Sequence, residues 1–261
     1  DDGFDFSRWG QASQTDIYPL WMLKHLPNMP ACHIGIAFDA RGPNNTVTLG
    51  EVSSHAAMAE AVRLIERGWA DIVLTGGTGT RVHPTWIVRN SVTEVSHRNE
   101  SPEHAARPFE AGRDGEVFGE GAAATVLESR PAAKRRGAKI LARAAGFGSA
   151  FGRATDGGVT QAAIEQSIVG ALRDSGLRAD EVGFVAAFGR GTRTADEIEA
   201  RAIRAVLGGV PVTVPKSFYG NLGSGGGAVD VVATVMMLQS HQIVPTLNYE
   251  QPDPACPVNV V

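Results

Sequence analysis

The chain has 261 residues, 43% of them hydrophobic, which is enough to bury the core of one large or two medium domains. A formal net charge of -4 supplies no basic field for nucleic acid or an anionic membrane surface, and no run approaches the unbroken apolar length of a membrane span. The two cysteines, Cys32 and Cys256, stand in unrelated contexts, and the seven histidines show no metal spacing, so neither a disulfide framework, a metal site nor a cofactor is expected, and a cytoplasmic location is.

In chain order, the apolar runs and amphipathic stretches predict an alternating α/β pattern. The start, residues 1–7, is acidic and polar rather than basic and then apolar, as a signal peptide requires. A helix is predicted over 15–26, then strands over 33–38 and 45–49. Helix 52–67 is the clearest element: Ala56, Ala59, Val62 and Ile65 share a face at three- and four-residue spacing, and Gly68 stops it. A strand over 71–75 follows. Residues 96–114, rich in Ser, Pro and charge, read as a long surface connection, and long connections often carry function. Strands over 122–128 and 140–147, helix 159–175, strand 182–187, helix 195–207, strand 212–214 and helix 224–240 complete the series. The run 45–49, 52–67, 71–75 and the run 182–187, 195–207, 212–214 share an outline that hints at internal duplication. The absence of an initial Met and the strand-like end Asn259-Val260-Val261 read as a chain incomplete at both ends.

Four segments carry chemistry. Ala106-Arg107-Pro108-Phe109-Glu110-Ala111-Gly112-Arg113-Asp114-Gly115-Glu116-Val117-Phe118-Gly119-Glu120-Gly121-Ala122 combines glycines that permit close backbone approach with Arg113, Asp114 and Glu120, which can form a charged knot. It resembles the β-ketoacyl-acyl carrier protein synthase signature R-P-F-D-x-x-R-D-G-F-V-x-G-E-G-A, with Glu110 for Asp and Glu116 for Phe. Val214-Pro215-Lys216-Ser217-Phe218-Tyr219-Gly220-Asn221-Leu222-Gly223-Ser224-Gly225-Gly226-Gly227-Ala228-Val229-Asp230 resembles S-x-K-[SG]-x-x-G-H-x-x-G-A-[AS]-G-x-x-E. Val185-Ala186-Ala187-Phe188-Gly189-Arg190-Gly191-Thr192, with Asp196 and Glu199 behind it, resembles V-x-A-H-G-T-x-T and its trailing D-x-x-E. Gly42-Pro43, followed by Thr48-Leu49-Gly50-Glu51-Val52-Ser53-Ser54, resembles G-P-x-x-x-x-x-T-A-C-x-S-G.

The resemblance implies a thiolase-like layered α/β/α/β/α fold built from two pseudo-repeats, with residues 1–137 as part of the N-terminal half and 138–261 as the C-terminal half. It also implies that an N-terminal βαβ part and a C-terminal gating segment of the family lie outside this chain. The family's chemistry is decarboxylative Claisen condensation. A cysteine at a strand-to-helix elbow takes the acyl chain from an acyl carrier protein, two histidines assist loss of CO2, and a lysine supports them.

Carried over by the motifs, the cysteine position falls on Glu51, the histidine positions on Phe188 and Asn221, and the lysine on Lys216. A carboxylate is a poor acyl acceptor from a thioester, and Phe188 neither donates nor accepts the histidine's hydrogen bonds. Losing one acid–base group typically costs 10²- to 10⁴-fold in rate. Cys32 is the one candidate for a displaced nucleophile, its alternative being a small core residue. Glu51 reads either as a plug, stabilised at a helix start by the dipole and the free N–H groups, or as a general base, with His55 one turn along as partner, or as a mimic of an acylated cysteine. Family members with Gln at this position are associated with malonyl decarboxylation or with the chain-length-factor subunit, but an ionised Glu51 repels a malonyl carboxylate.

Three functions remain. The first is a non-condensing, chain-length-factor-like subunit of fatty acid or polyketide biosynthesis that works with an acyl carrier protein, as a homodimer or as a heterodimer with an active ketosynthase. The second is an enzyme of altered chemistry on acyl thioesters, using Glu51, Lys216 and His55. The third is an ordinary 3-oxoacyl-acyl carrier protein synthase, if the motif register is wrong or Cys32 serves.

Overall fold

The computed structural model describes residues 5–18, 20–90, 95–152 and 159–261. The chain divides into two compact units, Asp1–Thr48 and Leu49–Val261.

In the first unit, helix α1 (Phe6–Asp16) begins at Asp5, whose carboxylate accepts from the N–H groups of Ser7 and Arg8 at 2.9 and 3.1 Å. A 3-10 turn, Trp21–His25, leads to helix α2 (Met29–Ala37). The helix expected over 15–26 is therefore two shorter pieces, and residue 19 within it lies outside the described residues. The strand expected over 33–38 is instead the end of α2. A short apolar run does not distinguish strand from buried helix, and Pro30 in the first turn tips the choice towards helix. Residues 45–49, also expected as a strand, have no regular structure.

The second unit opens with a 3-10 turn, Gly50–Val52, that runs directly into α3 (Ser53–Glu66). Strand β1 (Ile72–Thr80), helix α4 (Pro84–Asn90), strand β2 (Glu120–Glu128) and the short α5 (Arg130–Arg135) follow. β1 and β2 pair antiparallel from Ile72 opposite Glu128 to Thr80 opposite Glu120. The connection at 96–114 is irregular apart from one 3-10 turn, Pro102–His104. The strand expected over 140–147 finds no ladder partner among the described residues, and the segment carries no regular structure.

Helix α6 (Gln161–Ser175) is capped by the Thr160 hydroxyl and ends on Gly176 at φ 72°. Strand β3 (Val185–Ala186), helix α7 (Arg193–Leu207), strand β4 (Pro211–Thr213), helix α8 (Gly226–Ser240) and strand β5 (Asn259–Val260) complete the chain, with β3, β4 and β5 parallel and in that order. The strand–helix–strand outline is complete in this half. Among the described residues, its counterpart in the first half lacks the leading strand.

The core gathers Phe109, Ala187, Ala200, Ile203, Val212, Val214 and Cys256, with Ile168 packed against them, so α6 and α7 cover the three-stranded sheet. Beside this core lies a buried charged knot. The Arg113 guanidinium donates to the carbonyls of Glu110, Thr192 and Arg193 at 2.9 to 3.2 Å and to Asp253 at 2.5 Å, and stands 3.5 Å from Asp196. Asp196 in turn accepts from the N–H groups of Phe109 and Gly191 at 2.9 and 3.0 Å. Asp114 and Glu120 do not join it. Asp114 accepts from Ser96, and Glu120 from Thr80, both near the surface.

Candidate functional site

The site assembles within the second unit from four turns. The first is the elbow before α3. Gly50 takes φ 60°, a conformation that favours glycine, and the Ser53 hydroxyl ties the turn by donating to the Gly50 carbonyl at 2.6 Å and accepting from Leu49 N–H at 2.9 Å. This presents Glu51. Its carboxylate is not held by the free N–H groups of α3: Oε1 accepts from Arg81 Nη2 at 2.5 Å and from Asn221 Nδ2 at 2.8 Å. Arg81 itself lies beneath two rings, with its guanidinium carbon 5.3 Å from the Trp86 centroid and 5.9 Å from that of Phe118.

Asn221 comes from the second turn, between β4 and α8. The turn reaches this position because β1 offers glycine: a Cβ on Gly79 would collide with the Leu222 carbonyl at 2.1 Å. The orientation of the Asn221 amide is fixed, since its Oδ1 accepts from Gly223 N–H at 2.9 Å. Both Nδ2 hydrogens are therefore free to donate, one to Glu51 and the other to Glu116 Oε2 at 2.6 Å. Glu116, from the third turn, accepts on Oε1 from Arg190 Nη2 at 2.8 Å and Nε at 3.2 Å. The result is one continuous chain, Arg81–Glu51–Asn221–Glu116–Arg190, with two carboxylates, two guanidiniums and a carboxamide at its centre.

The fourth turn follows β3 and carries Phe188. It is clamped from α7, where Glu199 accepts from the N–H groups of Phe188 and Gly189 at 2.8 and 2.9 Å while Asp196 holds Gly191. The acidic pair trailing the motif thus fixes the backbone of the turn. Burial pushes the Asp196 carboxyl up to about 7, opposed first by the Phe109 N–H.

Lys216 lies with its Nζ 2.9 Å from the centroid of the Phe188 ring, and among the described residues the amine has no hydrogen-bond partner. Burial pushes it down to about 8. Asp230, Glu51, Glu199 and Glu116 pull the other way.

His55 does not pair with Glu51 among the described hydrogen bonds. Its ring packs against the start of α8, where a Cβ on Gly227 would meet Nδ1 at 2.4 Å, and its charged neighbours are Asp230 and Lys216. His55 is exposed as a whole residue, and the partial desolvation it does undergo lowers its pKa, opposed by Asp230. Cys32 is half-buried in α2, not on the turn into α3. Cys256 is buried in the core beside α7, and burial pushes its thiol up to about 12.

The structure thus brings together the four residues singled out by the motifs, Glu51, Phe188, Lys216 and Asn221. The sequence reading missed Arg81 and gave Arg190 and Glu116, both within quoted motifs, no role. The signal was present, since Glu116 and Arg190 depart from two separate motifs with opposite charge. Chemically, the immediate partners of Glu51 are a guanidinium and a carboxamide, neither of which takes up a proton near neutral pH. The chain orients and neutralises charge, and contains no proton relay.

The family follows from comparison with known proteins. A model of the β-ketoacyl synthase N-terminal domain matches residues 5–133, and one of the C-terminal domain matches residues 141–250. The 3-oxoacyl-[acyl-carrier-protein] synthase 2 of Synechocystis sp. is 35% identical over 255 residues, which is 93% of this chain and 60% of that protein. The ishigamide ketosynthase/chain length factor superposes with a TM-score of 0.89 at 25% identity, covering 98% of this chain and 64% of that one. The AntDE:AntF complex, a type II polyketide synthase acyl-carrier protein with its ketosynthase bound to the hexaketide, gives a TM-score of 0.88 at 29% identity over 94% of this chain and 62% of that one. The chain belongs to the β-ketoacyl synthase family of fatty acid and polyketide synthesis and has its thiolase-like fold. It spans about 60% of the length of the curated relative named here. Among the described residues, no helix is long and apolar enough to cross a membrane.

Proposed function

We propose that this chain serves as a non-condensing, chain-length-factor-like subunit that pairs with a cysteine-bearing ketosynthase and works on intermediates carried by an acyl carrier protein. One observation carries the reading. The side chain at the elbow is a carboxylate held by Arg81 and Asn221, and no thiol or imidazole is bonded to it. With Glu51 at the nucleophile position and Phe188 and Asn221 at the histidine positions, none of these three side chains does the work of the thiol or the imidazoles. Glu51 acts as a charge-neutralised plug, because the donors on its Oε1, Arg81 and Asn221, cannot return a proton. The partner supplies the sulfur, and this chain supplies scaffold and a wall of the acyl path. The chain-length-factor assembly and the carrier-protein complex among its structural relatives support this reading. It extends to a cytoplasmic location and to an organisation in two halves, 1–137 and 138–261.

The test is co-expression of the natural full-length protein with a cysteine-bearing ketosynthase from the same genome. A stable one-to-one complex, in which a cysteine-directed ketosynthase inhibitor labels only the partner, is the expected outcome. A solitary homodimer that is acylated at Cys32 and condenses malonyl units would overturn it.

A further inference from the structure

The chain contains four lysines, Lys24, Lys134, Lys139 and Lys216, and only Lys216 is buried. Its amine is in an unusual position. Among the described residues it has no hydrogen-bond partner, it sits over the face of Phe188, and the side chain lines a small cavity together with Ser217, Asn221, Arg190 and Gly189. Neither the plug nor the charged chain uses it. Burial costs the amine its hydration, which outweighs the attraction of the ring face for the ammonium and favours the neutral, nucleophilic form. Glu51, Glu116, Glu199 and Asp230 meanwhile surround it with negative charge. Those carboxylates determine which electrophile suits the site. Acylation would turn the amine into a neutral amide and take away the cation that Glu199 and Asp230 face, whereas Glu51 and Glu116 have Arg81 and Arg190. Condensation with a ketone or aldehyde preserves the charge.

We propose that Lys216 is a covalent carbonyl-binding site, taking small neutral ketones or aldehydes as an iminium. The nitrogen lone pair forms the C–N bond, and the carbonyl electron pair moves onto oxygen. Two protons that began on the ammonium leave with that oxygen as water, and the product keeps one positive charge. The step needs no outside oxidant or co-reactant. The inference rests on the reading that Phe188 has replaced a polar partner of Lys216. It does not depend on the pairing with a second subunit, so either can fail without the other.

Methyl acetoacetate with sodium cyanoborohydride at pH 8, followed by peptide mass mapping, tests the proposal on the folded chain. A base pushed down to about 8 is about half neutral at that pH. An ordinary lysine near 10.4 is under about 1% neutral. Lys216 is therefore expected to be labelled at least tenfold faster than each of the three exposed lysines, and Lys216→Arg to lose that label. Glu51→Gln, which removes one carboxylate facing the amine, should increase labelling of Lys216 at pH 7. Labelling no faster than at the exposed lysines, or preferential acylation of Lys216 by a neutral acyl thioester, would overturn the assignment.

Discussion

The molecule contains two arginine-centred charge networks that differ in construction. The knot around Arg113 is closed: the guanidinium spends most of its donors on backbone carbonyls, and Arg113 and Asp196 are 1% and 0% exposed. The chain from Arg81 to Arg190 runs almost wholly from side chain to side chain, with 25% of the Glu51 side chain and 35% of that of Arg190 still open. Arg113 and Asp196 stand where the family motifs also have Arg and Asp, whereas Glu51, Glu116, Arg190 and Asn221 all depart from those motifs. The closed network fixes backbone turns. The open one occupies the site and has been rebuilt as a unit, each new carboxylate meeting a new donor.

The largest expected effect breaks the closed network. Arg113→Leu leaves Asp196 buried without its cation and strands three carbonyls, which places the loss in the range of about 3–5 kcal/mol for a buried pair deprived of one member. Urea unfolding reads it, and a loss under about 1 kcal/mol would mean that the knot is as replaceable as the open chain. Next comes Glu116→Gln. Glu116 is buried and bonded to both Asn221 and Arg190, so about 1.5–3 kcal/mol is expected from lost charge-assisted hydrogen bonds. Restoring the motif residue by Glu116→Phe together with Arg190→Thr should recover part of that loss, because the two charges then leave together. A double-mutant cycle with no coupling between positions 116 and 190 would remove the idea of a unit.

A pH profile separates Lys216 from both networks. Its folded-state pKa, about 8, lies below the unfolded value of 10.5, so the folded form binds fewer protons between those limits. Below pH 8 both states carry the charge and the cost of burying it is constant. From pH 8 to 10.5 that cost is relieved, and stability rises with pH by at most about 1.4 kcal/mol per unit. Lys216→Met should lack this rise, so the wild type gains on the variant as pH increases. Parallel curves for the two proteins would show an amine with an ordinary pKa.

The legible and illegible parts of the fold divide along a physical line. Helix α3 and helix α7 were readable because their apolar residues repeat at helical spacing and glycine ends both, at Gly68 and Gly208. The strand expected over 33–38 failed because Ile34-Gly35-Ile36-Ala37-Phe38 is a short apolar run without periodicity, for which the first-turn proline decides. The strand over 140–147 failed because strand assignment requires a ladder partner, and pairing is not a local property of sequence. In the site, motif spacing was enough to bring Glu51, Phe188, Lys216 and Asn221 together. The bond between Glu51 and Asn221 spans 170 positions and that between Glu116 and Asn221 spans 105, so which donor meets which acceptor emerges only after folding.

The smallest expected effect is also the sharpest test of the open network. Glu51→Gln keeps shape and length and can still accept through its carbonyl oxygen from Arg81 and Asn221, while removing the charge. Because the pair is partly solvated, the lost attraction is worth less than about 1 kcal/mol. A plug needs only an acceptor at this place, so a complex between this chain and a catalytic partner should keep its affinity and product chain length in the variant. A general base needs the carboxylate itself, so any turnover of an acyl thioester that this chain performed through Glu51 would fall by 10²-fold or more. Measuring product length and thioester turnover on the same variant discriminates between them: unchanged product with no turnover to lose is the signature of the plug, because an amide can fill the elbow but cannot take a proton from water.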